Sequence, residues 1–309
     1  MSATRTRSPT CCPFWKEIKV LSLGSDVLAQ AHASGRALGA FSVYNIELAQ
    51  AVLDAAAARQ VPVLLQAGSS SFGYAGEEVL AKVALTLAEH APGQVGVHLD
   101  HCRDLEEIRR CLDRGYTSVM IDGSHLDLAA NIELTSRAVK LAAPYGAWVE
   151  AELGEVAGDE DSSTQARAAG GTDPEAAGRF VQETGVDALA VAIGNVHGMT
   201  PRPVTLDLAR LRDIQRHCPV PLVLHGASGI PDEQVAAAIT LGIAKVNVNA
   251  EVRGAYIRAL NTCEVTGDGL AAFTRFGIAA ATRVVDEKLG LFTAAGDGGQ
   301  RTRSEGEQT

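Results

Sequence analysis

The sequence predicts an α/β protein: a (β/α)8 barrel, built as a single domain with flexible tails. Three observations point there. Eight short, almost continuously apolar runs alternate with seven longer segments of helical spacing, and a helical region follows at about 251–288. Strands apolar on both faces belong to parallel pairing covered on both sides. No Pro/Ser linker divides the 309 residues, and eight βα units in about 250 residues suit a closed barrel better than an open doubly wound sheet. That open sheet is the alternative which pattern alone leaves standing.

Residues 1–20 (MSATRTRSPTCCPFWKEIKV) carry basic and hydroxyl side chains but lack the apolar stretch of a secretory signal. They read as a flexible extension; an organelle leader is the alternative, since no acidic residue precedes Glu17. The barrel is assigned to 21–292. Its strands are expected at 40–43, 61–66, 95–99, 118–121, 148–153, 188–193, 222–224 and 244–248. Helices are expected at 46–59, 77–90, 105–114, 126–143, 174–184, 206–217 and 232–241. In 105–114, Leu105, Ile108 and Leu112 recur at i, i+3 and i+7, the apolar face of one helix. Asp173 with Pro174, and Pro231 with Asp232, look like helix starts, because a first turn has no use for the N–H that proline lacks. Residues 154–171 (GEVAGDEDSSTQARAAGG) are too long and polar for an ordinary βα connection and read as a functional lid or as disorder. Residues 293–309 form a polar, low-complexity tail expected to fray.

Composition narrows the function classes. With 46% hydrophobic residues the chain is not disordered throughout, and with 5% aromatics its core rests on Ala, Val, Leu and Ile. The 27 Lys and Arg against 37 Asp and Glu give a net charge of −10, which disfavours nucleic acid and anionic membranes as partners. A phosphorylated small molecule needs only a local pocket of donors. No run approaches the roughly 18 apolar residues of a membrane span. The six cysteines, at 11, 12, 102, 111, 218 and 263, contain no C-x-x-C pair and form no disulfide framework. Free thiols in a reducing compartment are expected, hence a cytoplasmic protein.

A barrel of this kind places its chemistry where the strands end. Tyr44 and Asn45 follow the first run, Gln66 ends the second, and Asp100 and His101 end the third. Asp122 ends the fourth, and Glu150 and Glu152 lie on the fifth. Asn195, His197 and Gly198 follow the sixth, His225 and Gly226 the seventh, and Asn247 and Asn249 close the eighth. His32, His90 and His217 stand in helical or flanking polar context, and His125 reads as a loop residue. His98 alternates with Asp100 toward one side of its strand. His101, His197 and His225 differ from these: each closes a different strand at the same end.

Three neutral imidazoles at one mouth match a catalytic zinc site with positions left for substrate. The alternative is three hydrogen-bonded strand caps. Asp100, beside His101, suits proton transfer on a substrate hydroxyl, or else the orientation of a histidine ligand. Asp122 and Glu152 are candidates to orient ligands or to contact the metal themselves. Glu160 is either a mobile base carried by the lid or, with Asp159 and Asp161, part of a solvated acidic run. The turn HGASG at 225–229 and the segment 247–249 fall where such barrels hold phosphate on backbone N–H groups and hydroxyls. Gly198 lets backbone approach a ligand there, although glycine-rich turns also arise for steric reasons alone.

Taken in order along residues 21–291, GAFSVYNIE, VHLDHC, SVMIDGSH, VEAELGEVAGDED, AVAIGNVHG, VLHGASGI and KVNVN resemble the class II, metal-dependent fructose-bisphosphate and tagatose-bisphosphate aldolase family. The resemblance implies a lyase of carbohydrate metabolism such as glycolysis. It would reversibly cleave a ketose phosphate, foremost fructose or tagatose 1,6-bisphosphate, into dihydroxyacetone phosphate and an aldehyde through a metal-stabilised enediolate. It implies zinc on His101, His197 and His225, proton transfer by Asp100 at the C4 hydroxyl, and proton exchange by Glu160 at C3. Phosphate contacts fall on Gly198, Gly226 and Ser228 with Asn247 beside them; Asn45 and Asn249 complete the candidate substrate contacts. A Na+ or K+ site at Val196, Gly198, Gly226 and Ser228, and a homodimer or homotetramer, are implied as well.

Three departures touch the substrate grip. Gly68 stands in QAGSSS where members often carry serine, and Ala250 where threonine usually follows the asparagine motif. Met199, Thr200 and Pro201 follow His197 and Gly198, where many members read H-G-x-Y-K. Ser69, Ser70, Thr200 and Arg202 are the candidates to compensate. Two alternatives stay open on this account: a lyase for a deoxy-keto-sugar-acid phosphate, and a non-catalytic sugar-phosphate-binding subunit. Retention of His101, His197, His225 and Asp100 argues against the second.

Overall fold

A computed structural model describes residues 24–158, 170–199, 204–263 and 269–301. The extension expected at 1–20, Glu160 with the middle of the expected lid, Thr200, Pro201 and Arg202, and the tail from 302 onward lie outside the described residues. Eight parallel strands close a barrel in sequence order: β1 (Leu38–Ser42), β2 (Val63–Gln66), β3 (Val95–Cys102), β4 (Ser118–Ile121), β5 (Trp148–Leu153), β6 (Ala188–Val191), β7 (Leu222–Leu224) and β8 (Ile243–Val248). β1 pairs with β2 on one side and β8 on the other. Closure removes the open doubly wound alternative.

The helices are α1 (Ser25–Ala33), α2 (Ile46–Arg59), α3 (Ser69–Ala75), α4 (Glu77–His90), α5 (Leu105–Arg114), α6 (Leu128–Ala142), α7 (Pro174–Thr184), α8 (Leu208–His217), α9 (Asp232–Thr240), α10 (Ala250–Thr262) and α11 (Leu270–Arg301). Local sequence explains where many begin. Asn45, Asp104, Asp127, Asp173 and Asp207 each accept a bond from a first-turn N–H and cap α2, α5, α6, α7 and α8. Positive φ at Gly115 and Gly185 then ends α5 and α7.

Two helices were not expected. α1 is nine residues long with only Val27, Leu28 and Ala31 buried, too short a pattern to read. It nevertheless packs Val27 and Leu28 against Leu38, Ala40, Leu64, Trp148, Ala188, Ala190 and Val223 of the barrel interior. α3 forms in the serine- and glycine-rich stretch after Gly68, a composition that reads as turn. The C-terminal helical region divides into α10 and α11, and α11 runs to Arg301.

Strand alternation sets the interior. Trp148, Glu150 and Glu152 on β5, His98 and Asp100 on β3, and Lys245 and Asn247 on β8 occupy successive same-face positions. The His98 ring stacks on Trp148 with centroids 5.2 Å apart. Inward positions thus change from apolar near the strand starts to polar at their ends. The outward positions Phe41, Leu65, Val97, Leu99, Val149, Val191 and Val246 join the helices in the larger apolar core. No helix among the described residues is long and apolar enough to cross a membrane.

Candidate active site

Asp100 and His101 are neighbours on β3, so regular alternation would send them to opposite faces. A register shift between Leu99 and Cys102 and a left-handed backbone at His101 (φ 48°) break that alternation. Such irregularities re-aim side chains. Here Asp100 and His101 both line one cavity of about 210 Å³, together with Asp122, Glu152, Val156 and His197.

β6 and β7 bring the other two imidazoles. Gly226, at φ +59°, lies so close to the β6 loop that a Cβ there would stand 2.2 Å from the Val196 carbonyl oxygen. Asn195 ties the same loops together: its Oδ1 accepts from the Ile193 N–H at 2.8 Å, and its Nδ2 donates to the His225 carbonyl at 3.0 Å. The His197 N–H donates to the Ala157 carbonyl at 2.9 Å, which anchors the start of the long connection after β5 to the candidate ligand. One ring nitrogen from each of His101, His197 and His225 then lies within 4.8 Å of the others.

Each imidazole is oriented from behind. His101 Nδ1 lies 3.5 Å from Asp122 Oδ2, His197 Nδ1 is 3.1 Å from the Val156 carbonyl oxygen, and His225 Nε2 is 2.7 Å from Glu150 Oε1. These acceptors assign the ring protons to those nitrogens. Lone pairs on His101 Nε2, His197 Nε2 and His225 Nδ1 are thereby aimed at one another, with N···N distances of 3.2 Å and 2.9 Å to His101. Converging lone pairs repel unless a cation lies between them. Glu152 adds to this. Its Oε2 is buried without a hydrogen-bond partner, 3.5 Å from His225 Nδ1. Three imidazole nitrogens and one buried carboxyl oxygen fit a divalent cation.

The electrostatics agree with that fit. Burial pushes the His197 imidazole down to about 3, and holds His225 well below its ordinary range, so both are neutral and able to ligate. Burial raises the Glu152 carboxyl to about 8. Burial alone would also raise Asp122, but the His101 and Ser124 donors outweigh it and hold that carboxylate well below its usual range.

Asp100 is nearly buried and held from both sides. Gln66 Nε2 donates to its Oδ2 at 2.9 Å, and Asn247 Nδ2 donates to its Oδ1 at 3.2 Å. The network continues through Lys245, whose Nζ donates to Asn247 Oδ1 at 2.7 Å and pairs with Glu150 Oε2 at 2.8 Å. One fully buried ammonium therefore links Asn247, which holds Asp100, to Glu150, which orients His225.

Across the mouth, the turn after β7 meets the N-terminus of α10. The Glu251 N–H donates to Ser228 Oγ at 3.3 Å, and Glu251 Oε1 accepts from the Gly229 N–H at 2.6 Å. Gly198 and Gly226 have φ of +80° and +59°. Asn249 Nδ2 donates to the Tyr44 hydroxyl at 2.8 Å, and Arg253 Nη1 reaches the same oxygen at 3.1 Å. Asn45 serves as the N-cap of α2, accepting from the Leu48 N–H. Ala250 is the first residue of α10 and brings no hydroxyl to that end.

The sequence places Gln66 and Asn195 at strand ends but assigns them no role, and Lys245 was passed over. A signal existed for two of them: Gln66 and Lys245 are polar side chains at inward positions of otherwise apolar strands. Arg103 was passed over too. It follows the third strand end directly and borders the cavity.

Comparison with known proteins gives concordant results. The family model described as Fructose-bisphosphate aldolase class-II matches residues 24–297. The structure of the YdjI aldolase from Escherichia coli K12 is 34% identical over 88% of this chain and 97% of that one, with a TM-score of 0.79. A Coccidioides immitis structure, provisionally named a fructose-1,6-bisphosphate aldolase, is 31% identical over 88% and 96%, with a TM-score of 0.78. Fructose-bisphosphate aldolase from Campylobacter jejuni is 20% identical over 89% and 96%, with a TM-score of 0.74, a likeness of fold.

Proposed function

This chain belongs to the class II fructose-bisphosphate aldolase family, and from that premise we propose that it is a zinc-dependent enzyme cleaving a ketose 1,6-bisphosphate, fructose or tagatose, into dihydroxyacetone phosphate and an aldehyde. Membership makes it a carbon–carbon lyase of a family that is generally divalent-metal dependent and acts on phosphorylated sugars. The observation that carries the finer reading is the convergence of three imidazole nitrogens beside Asp100.

His101 and His197 would hold the cation through Nε2 and His225 through Nδ1, with Glu152 as a further contact and Asp122 orienting His101. When bound, a divalent cation supplies Lewis-acid polarisation of the substrate ketone. Asp100 takes the proton of the C4 hydroxyl in cleavage and returns it to the aldehyde oxygen in synthesis. Its two amide donors hold the carboxylate in place for that transfer. Glu160 is assigned the proton exchange at C3, carried over the mouth by its segment, whose start is bonded to His197. Gly198, Gly226, Ser228 and Asn247 are assigned to the phosphate, aided by the positive end of α10. Asn45 and Asn249 are assigned to the sugar. A Na+ or K+ ion is assigned to Val196, Gly198, Gly226 and Ser228, and the assembly is proposed as a homodimer or homotetramer.

The test is a screen of fructose 1,6-bisphosphate, tagatose 1,6-bisphosphate and one keto-acid phosphate, with protein loaded with zinc or stripped by chelator. Cleavage of a ketose bisphosphate that disappears on stripping and returns with zinc is expected. Cleavage that survives complete metal removal would overturn the mechanism, and a preference for the keto-acid phosphate would replace the substrate.

A further inference from the structure

We propose that Arg103 reads the end of the substrate farthest from the phosphate turn, and that it selects an aldehyde half ending in an anion. The inference rests on the aldolase reading above and names the residue that meets the other half of the substrate in the same mouth. In a closed barrel ordered β1 to β8, β3 stands opposite β7. The phosphate turn follows β7 and Arg103 directly follows β3, so the two lie on opposite sides of the mouth, with the three imidazoles inside it.

Arg103 is the only Lys or Arg among the described residues lining the 210 Å³ cavity, where the acidic neighbours are Asp100, Asp122, Glu152 and Glu155. An anionic chain end entering among those carboxylates needs a cation to meet it. The guanidinium is also held in position. Its Nε and Nη2 donate to the same Asp122 oxygen at 3.3 and 3.1 Å, while Ser124 N–H and Oγ hold the other oxygen of Asp122 at 3.1 and 2.6 Å. The side chain is still 57% exposed, and its Nη1 donates to no other described residue. A planar guanidinium fixed along one edge presents its remaining donors to a phosphate or a carboxylate, which accept two parallel bonds from it.

Synthesis isolates this end of the substrate, because dihydroxyacetone phosphate stays constant while the aldehyde varies. Glyceraldehyde 3-phosphate, tartronate semialdehyde and glyceraldehyde end in phosphate, carboxylate and hydroxyl on the same three carbons. Wild-type kcat/KM is expected to favour at least one anionic aldehyde over glyceraldehyde by about tenfold or more, the scale of one charge-assisted hydrogen bond. Arg103→Met should bring that ratio close to one, with Arg103→Lys between, and the favoured aldehyde tells phosphate from carboxylate. Two results would overturn the proposal: no anionic preference in the wild type, or an equal loss for all three aldehydes in Arg103→Met, the mark of a residue that only steadies Asp122. Calorimetry with hexitol 1,6-bisphosphate against hexitol 1-phosphate repeats the comparison without turnover. There, a binding gap that closes in Arg103→Met supports the assignment and a gap that persists refutes it. If that gap depends on Arg103 while no aldehyde condenses under any metal condition, the aldolase reading falls and the anion site stands.

Discussion

Gly68 lies so close to Asp100 that a Cβ there would stand 2.7 Å from the Asp100 carbonyl oxygen and 3.1 Å from its Cβ. The position that departs from the family pattern therefore touches the proposed proton carrier. Its φ of −119° is ordinary, so any conflict would come from contact and not from backbone strain. Gly68→Ala should push the Asp100 peptide away from β2, cost about 1–3 kcal/mol of stability and lower kcat more than it raises KM; denaturation and steady-state kinetics measure both. Asp100→Asn tests the carboxylate itself. The amide would set its own NH2 against either Gln66 or Asn247, both of which donate to Asp100. A loss of about 10²–10⁴ in kcat is expected, with the zinc content per chain unchanged by metal analysis. A variant within tenfold of the wild type would move proton transfer to another group.

At the scale of single elements, the β3 bulge and the inward face of β8 are what build the site. Lys245 on β8 sits fully buried between Glu150 and Asn247. Lys245→Met would strand the Glu150 carboxylate without its cation, an uncompensated buried charge costing about 3–5 kcal/mol. Adding Glu150→Gln should recover part of that loss, and a double-mutant cycle by urea unfolding reads the coupling. Independent, additive losses would show that the pair does not act as a unit. These elements also show how far the sequence could be read. The apolar runs located every strand, and the residues just beyond them held the three histidines, Asp100 and the glycine turn. The bulge was not legible, because the apolar run ends at Leu99 and leaves Asp100 and His101 just beyond it, whereas β3 continues to Cys102. α1 was missed because its buried Val27 and Leu28 meet partners drawn from five different strands. Arg103 was missed because its meaning lies in which strand faces it across a closed ring.

For the molecule as a whole, folding and site assembly are one event, since the candidate ligands come from β3, β6 and β7 and meet only when the barrel closes. This has a consequence for stability against pH in the metal-stripped protein. Burial, the leading cause in each case, holds His98 and His225 well below the ordinary imidazole range and His197 down to about 3. In the unfolded chain each titrates near 6.5. Between those values the unfolded state binds the extra protons, so the stability these three contribute is complete above about pH 6.5 and is lost as pH falls. One pKa unit is worth about 1.4 kcal/mol, so each histidine should cost about 2 kcal/mol between pH 6.5 and 5. Glu152 works in the opposite direction. Raised to about 8 by burial, it keeps a proton that the unfolded chain releases above about 4.5, so its contribution declines as pH rises toward 8. Urea midpoints of the stripped protein should therefore peak near pH 6.5, falling steeply on the acid side, where three histidines outweigh one carboxyl, and gently on the alkaline side. Zinc should raise the alkaline side most, because a cation favours the ionised Glu152 and needs imidazoles that are already neutral there. An acid limb as shallow as the alkaline one would mean that the three rings are not buried as neutral bases.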